Sequence, residues 1–154
     1  MTSLVEGQPI PDFTAQSDQG ELSSQALRGT PFVLYFYPRD NTPGCTTQAQ
    51  GFRDLKTEFD ALGVQVIGVS RDSLASHERF RDKQSLNFPL ISDPDEALCS
   101  LFDVMKLKNM YGKQVRGIER STFLIDQNGV LRQAWRKVRV PGHVDAVLEA
   151  ARQL

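Results

Sequence analysis

Residues 31–37 leave this chain few architectures to choose from. Phe32, Val33, Leu34, Tyr35 and Phe36 form a nearly unbroken apolar run of strand length, and a strand without polar alternation is one covered on both faces. After a short polar stretch, Phe52, Leu55, Phe59 and Leu62 recur at helical spacing over residues 46–62, and Gly63 stands where a helix C-cap belongs. Residues 64–69 supply a second apolar strand rich in β-branched side chains. Strand, helix and buried strand in succession make a parallel crossover.

The remaining pattern is consistent with an α/β sandwich. Residues 73–85 read as a helix with Leu74, His77 and Phe80 near one face, residues 88–91 as a short strand, and residues 96–102 as a helix. Residues 109–117, with glycines at 112 and 117 and no clear period, read as a loop that approaches the site. Residues 121–125 and 130–138 flank Asp126-Gln127-Asn128-Gly129 and predict a hairpin, because Asn-Gly is a strong two-residue turn signal. Residues 143–154 close the chain as a helix with Val144, Val147 and Leu148 inward. The sum is a mixed central sheet flanked by helices. At 154 residues and 40% hydrophobic content, residues 1–154 are expected to be one domain with its own core.

Charge and cysteine usage exclude several function classes. Eighteen basic residues against nineteen acidic ones leave a formal charge of -1, so no broad field recruits nucleic acid or an anionic membrane. Residues 1–7 hold no basic cluster followed by an apolar core, and no apolar run approaches the ~20 residues that span a bilayer. The chain is expected in the cytoplasm, where two cysteines are more plausible as thiols than as a disulfide framework. Only two histidines are present, at 77 and 143, without partners at metal spacing; surface or capping roles are expected of them, and no metal site.

Cys45 carries the chemistry. It falls at the junction between the apolar strand and the following helix, in Thr42-Pro43-Gly44-Cys45. A thiol reacts as its thiolate, and the first turn of a helix favours an anion through unpaired N–H groups and the aligned peptide dipoles. Thr42 suits an N-cap and Pro43 a first helical position, while Gly44 removes bulk beside the sulfur. From position alone, a small buried hydrophobe is an equally open reading of Cys45. Arg39 and Asp40 read as a solvated turn.

Pro38, Thr42 and Cys45 together reproduce proline, three residues, threonine, two residues, cysteine. This resembles the peroxiredoxin active-site motif, and TPGCT preceded by FYPRD resembles its bacterioferritin comigratory protein or peroxiredoxin Q branch. The likeness extends through Pro11-Asp12-Phe13 with Asp18-Gln19-Gly20, Val64–Ser70, Ser76-His77-Glu78-Arg79-Phe80, Phe88-Pro89-Leu90-Ile91-Ser92-Asp93, Arg120–Asp126 and Gly142-His143. It implies a thioredoxin-like fold with an added N-terminal β-hairpin. It also implies a peroxidase that acts on hydrogen peroxide and small organic hydroperoxides without metal, haem or flavin. Cys45 would be the nucleophile, Thr42 and the backbone N–H groups near Gly44 and Cys45 would hold the peroxide, Arg120 would stabilise thiolate and substrate, and Pro38 would shield the pocket. Thr42 as a cap alone and Arg120 as a surface ion pair are the plain alternatives.

The resemblance also locates a departure. One family position for a resolving cysteine is Gln50 here and the other is Arg81, which leaves Cys99 in an apolar helical context. Cys99 is either structural, with thioredoxin, glutaredoxin or glutathione as outside reductant, or the partner of an internal disulfide. Trp135 and Met105 are candidates for the wall of an organic-peroxide pocket, or plain packing. A monomer is expected. A general thiol-disulfide oxidoreductase would prefer a CxxC, and residue 48 is Gln. A redox-sensing or chaperone-like binding protein remains the rival from another class.

Overall fold

The computed structural model describes residues 4–154; residues 1–3, part of the stretch read for a leader, lie outside them. The chain opens with a hairpin of β1 (Thr14–Ser17) and β2 (Gly20–Ser23). The crossover follows as β3 (Phe32–Phe36), α1 (Pro43–Asp54), α2 (Lys56–Ala61) and β4 (Gln65–Ser70). Next come α3 (Leu74–Gln84), β5 (Leu90–Ser92), α4 (Ala97–Leu101), β6 (Met105–Met110) and β7 (Lys113–Ile118). The hairpin of β8 (Ser121–Ile125) and β9 (Leu131–Trp135) precedes the closing α5 (His143–Arg152).

Seven strands form one sheet in the order β2-β1-β5-β4-β3-β8-β9. β3, β4 and β5 are parallel, while β8 and the N-terminal hairpin run antiparallel to their neighbours. Side chains on a strand alternate between faces, and here each face has its own core. Val33, Tyr35, Tyr37 and Val66 join Cys45, Phe52, Phe59 and the inner residues of α5. Phe32, Leu34, Phe36, Ile67 and Val69 join Cys99, Phe102 and Phe123 on the other side. Gly68 is a close-approach glycine: a Cβ there would lie 3.1 Å from the Tyr35 ring and 2.9 Å from Leu90 Cδ2. The space lets Tyr35 stack on Phe52, with ring centroids 4.6 Å apart.

Two expectations need correction. The helix expected over residues 46–62 is interrupted at Leu55 (φ -98°, ψ 7°), which ends α1 and precedes α2. Phe52, Leu55 and Phe59 keep their apolar spacing through the break, which is why periodicity hides it. The expected loop at residues 109–117 is the ladder β6–β7, a separate two-stranded sheet. Leu107 and Tyr111 are 66% and 98% exposed, so the ladder buries too little to show a period of two. Its turn, Tyr111-Gly112, has φ of 53° and 79°, the paired positive values of a type I′ hairpin turn. No helix among the described residues is long and apolar enough to cross a membrane.

Candidate active site

β3 delivers the chain to the site and α1 carries it away. After Tyr37, whose N–H donates to the Val69 carbonyl at 3.0 Å, residues 38–42 turn back, with Asn41 at φ 63°. Pro38 is half-buried in this connection. Thr42 is the N-cap residue and Pro43 opens α1, so Cys45 falls in the first turn, 1% exposed. The first bond closed by α1 runs from Thr46 N–H to the Thr42 carbonyl, 2.8 Å. The N–H groups of Gly44 and Cys45 precede it and find no acceptor among the described residues. The expected side-chain cap is absent: Thr42 Oγ1 donates to the Arg39 carbonyl at 2.9 Å and takes no bond from the helix.

Arg120, between β7 and β8, reaches this turn from the other side. Its Nη2 lies 3.3 Å from Cys45 Sγ, and its Nη1 donates to Gln48 Oε1 at 2.6 Å. Gly44 makes room for it, since a Cβ there would stand 3.2 Å from Arg120 Nη2. Gln48 is fully buried one turn after Cys45. In the sequence it stands only where the second cysteine of a CxxC would be; its helical spacing from Cys45 is the available signal. Beneath the sulfur, the phenol of Tyr35 is pushed well above its ordinary pKa by burial and then by Cys45 and Asp40.

The guanidinium also sets its neighbours. His143, the first residue of α5, is buried rather than on the surface and meets Thr122 Oγ1 at 2.8 Å. Burial first and the charge of Arg120 second bring its pKa down to about 4, so it is neutral. Lys108 on β6 is shifted down by the same two causes in the same order. Trp135 packs edge-on against His143, with centroids 5.7 Å apart. Met105 packs against the apolar cluster on the opposite face of the sheet from Cys45.

Asp40 is not a solvated turn residue. Its carboxylate is buried and accepts from Tyr37 Oη at 2.6 Å, Ser76 Oγ at 2.8 Å and His77 Nδ1 at 2.7 Å. The second ring nitrogen of His77 lies 2.9 Å from the Ile91 carbonyl. Two acceptors on one imidazole require both nitrogens protonated, so His77 is a buried cation, not a surface residue. Burial opposes the charge most strongly, but the hydrogen bond and charge of Asp40 outweigh it and raise the pKa. Asp72 completes a cluster with Asp40 and His77, yet a doubly protonated ring has no lone pair for a metal.

Over residues 6–134 the chain matches the AhpC/TSA family. It is 59% identical to peroxiredoxin Bcp of Xanthomonas campestris over 153 residues, 97% of this chain and 96% of that protein. The chain belongs to the peroxiredoxins. A second peroxiredoxin Bcp, from Bacillus subtilis, is 46% identical over 149 residues, covering 96% of this chain and 95% of its own. A solved structure of the X. campestris bacterioferritin comigratory protein, described for alkyl peroxide reduction, superposes with a TM-score of 0.90 at 51% identity, over 97% of this chain and 98% of that one. The fold is the thioredoxin-like one of this branch, and the chain is an enzyme with peroxidase activity.

In this peroxiredoxin the two positions without a resolving cysteine are occupied by side chains with other work. Gln50 donates through Nε2 to Gln84 Oε1 at 2.8 Å, joining α1 to α3. Arg81 makes a two-pronged pair with the fully buried Asp18 carboxylate, 2.5 Å and 3.1 Å, and bonds the carbonyls of Leu86 and Phe88. Asp18 in turn accepts from the Leu90 N–H at 2.9 Å. Cys99 is fully buried across the sheet from Cys45. Burial pushes its thiol up, and the Asp93 carboxylate beside it adds to the effect.

Proposed function

We propose that this peroxiredoxin reduces hydrogen peroxide and small organic hydroperoxides at Cys45 and hands the oxidised sulfur to an outside thiol. The observation that carries the reading is the guanidinium of Arg120 at 3.3 Å from a cysteine in an uncapped first helical turn. A permanent cation with a rigid fork of donors attracts both a thiolate and a peroxide oxygen that is acquiring charge. The Cys45 thiolate attacks one peroxide oxygen, an S–O bond forms, the O–O bond breaks, and the departing oxygen takes a proton to leave as water or an alcohol. Cys45 becomes a sulfenic acid.

Each neighbour has a role in that step. The N–H groups of Gly44 and Cys45 offer donors to the leaving oxygen. Thr42, whose own proton is committed to Arg39, offers a lone pair to the peroxide O–H and so orients it. Pro38 limits water at the mouth of the site, which strengthens the charge interactions inside. The alkyl peroxide activity described for the X. campestris relative supports organic hydroperoxides as substrates.

Resolution by an outside thiol is supported by the occupation of positions 50 and 81 and by the sheet that separates the two sulfurs. Thiol and sulfenic acid condense to a mixed disulfide and water, and a second thiol releases Cys45. Thioredoxin, glutaredoxin and glutathione all supply that chemistry. The test is peroxide consumption with intact mass after one equivalent of oxidant. Cys45→Ser abolishes consumption, Cys99→Ser leaves the first oxidation intact, and the wild type gains one oxygen. Normal consumption by Cys45→Ser would end the proposal; a loss of two hydrogens would end its second half.

A further inference from the structure

We propose that Asp40 is a positioning residue for Cys45, and that the Tyr37–Asp40–His77 network is a latch that must open before an outside thiol reaches the oxidised sulfur. This deepens the peroxidase reading and rests on it. Cys45 is almost wholly buried, while condensation with a thiol requires that sulfur to meet a second one from solution. Something covering the first turn of α1 has to move.

The connection at residues 38–42 leads directly into that turn, and Asp40 ties it to the rest of the molecule through its carboxylate and its N–H. Asp40 Oδ1 takes the hydroxyl of Tyr37, one residue past β3, and Oδ2 takes Ser76 and His77 from α3. The Asp40 N–H donates to Asp72 Oδ2 at 2.9 Å, an oxygen that Ser70 Oγ also reaches. His77 is held from behind by the Ile91 carbonyl of β5. The groups facing His77 are therefore Asp40 from the loop, Asp72 from the turn after β4, the ring of Tyr37 just past β3 with its centroid 6.4 Å away, and Ser76 on its own helix. A buried charged pair with every partner in place is orientationally stiff, and removing one member leaves the other uncompensated. Asp40 acts on the turn that carries Cys45 through Asn41, which reverses the chain at φ 63°, and Thr42, whose carbonyl accepts the first helical bond from the Thr46 N–H.

One carboxylate thus sets two opposed rates. Held, it keeps Cys45 against Arg120 and favours attack on peroxide. Released, it frees the loop and admits the thiol.

The experiment separates these half-reactions by rapid mixing. Oxidation of the reduced protein by hydrogen peroxide is followed through Trp135 fluorescence, and reduction of preformed sulfenic acid by the neutral thiol β-mercaptoethanol is followed by quenched intact mass. Asp40→Asn is expected to slow the first about tenfold and speed the second about tenfold, the rate equivalent of losing one charge-assisted hydrogen bond. Ser76→Ala, which deletes a single bond at the partly exposed start of α3, shows the same opposed pattern at about threefold if Asp40→Asn folds poorly. As pH rises through the point at which His77 loses its proton, the ratio of Asp40→Asn to wild-type reduction rates falls toward one. The proposal is overturned if the two rates move in the same direction or stay within about twofold, or if the variants lower the melting temperature without changing the ratio of the two steps. A wild type that fails to react with peroxide at all would instead sink the peroxidase reading, and this inference with it.

Discussion

Gly44→Ala sets helix stability against the geometry of the site. In isolation the change should strengthen α1, since alanine is favoured over glycine in a helix by about 0.5–1 kcal/mol, and Gly44 does not need a positive φ. The added Cβ, however, would lie 3.2 Å from Arg120 Nη2, closer than an ordinary van der Waals contact. Arg120 must give way by a few tenths of an ångström. It cannot pivot freely, because Nη1 is fixed on Gln48 at 2.6 Å, so the 3.3 Å contact to sulfur lengthens. A hydrogen bond to a charged group is worth about 1.5–3 kcal/mol, and losing the lower figure corresponds to about a tenfold slower attack on peroxide. The expected outcome is a protein at least as resistant to urea as the wild type, with a second-order rate for hydrogen peroxide about tenfold lower. Stopped-flow fluorescence beside an equilibrium unfolding curve reads both. An unchanged peroxide rate would refute the view that the Arg120 contact with Cys45 limits the chemistry.

Acid should destabilise the protein through His143. The unfolded chain protonates this ring near its ordinary value of 6.5, the folded chain only at about 4, so between those values the unfolded state binds more protons and stability falls as the pH drops. Across the window the loss is about 3 kcal/mol, and urea midpoints measured from pH 7 to 4 should show a steeper decline in the wild type than in His143→Gln; parallel declines would exclude the ring as the source. Gln50→Cys should convert the one-oxygen gain after peroxide treatment into a loss of two hydrogens. It should do so slowly, because five residues of intact helix span about 7.5 Å of axial rise and a disulfide needs Cα atoms within about 7 Å. Mass spectra over a time course would read the delay, and an immediate bridge would argue that the first turn of α1 is already open.

The parts of this molecule visible from sequence are those whose side chains report their own burial. β3 and β4 announced themselves because both faces are covered, and Cys45 stood out because strand, proline and cysteine follow one another within a few positions. The β6–β7 ladder escaped because both its faces are largely exposed and its residues carry no apolar rhythm. Asp40 escaped for the opposite reason. Arg39-Asp40-Asn41 is polar and looks solvated, while the groups that bury its carboxylate include Ser76 and His77, 36 and 37 positions away. Gln48 depends on Arg120, 72 positions distant, so its role belongs to the tertiary fold and to no local pattern. The likeness to peroxiredoxins pointed to Arg120, but not to what holds it.

Position 81 has an evolutionary corollary. With arginine there, Asp18 keeps its negative charge in the interior because a guanidinium answers it on two prongs. A lineage that gained cysteine at 81 would strand that carboxylate at a cost of about 3–5 kcal/mol, so the gain of a second sulfur and the loss of the acid would have to arrive together. Under the proposed resolution by outside thiols, the pair works as a ratchet that holds the chain to that route.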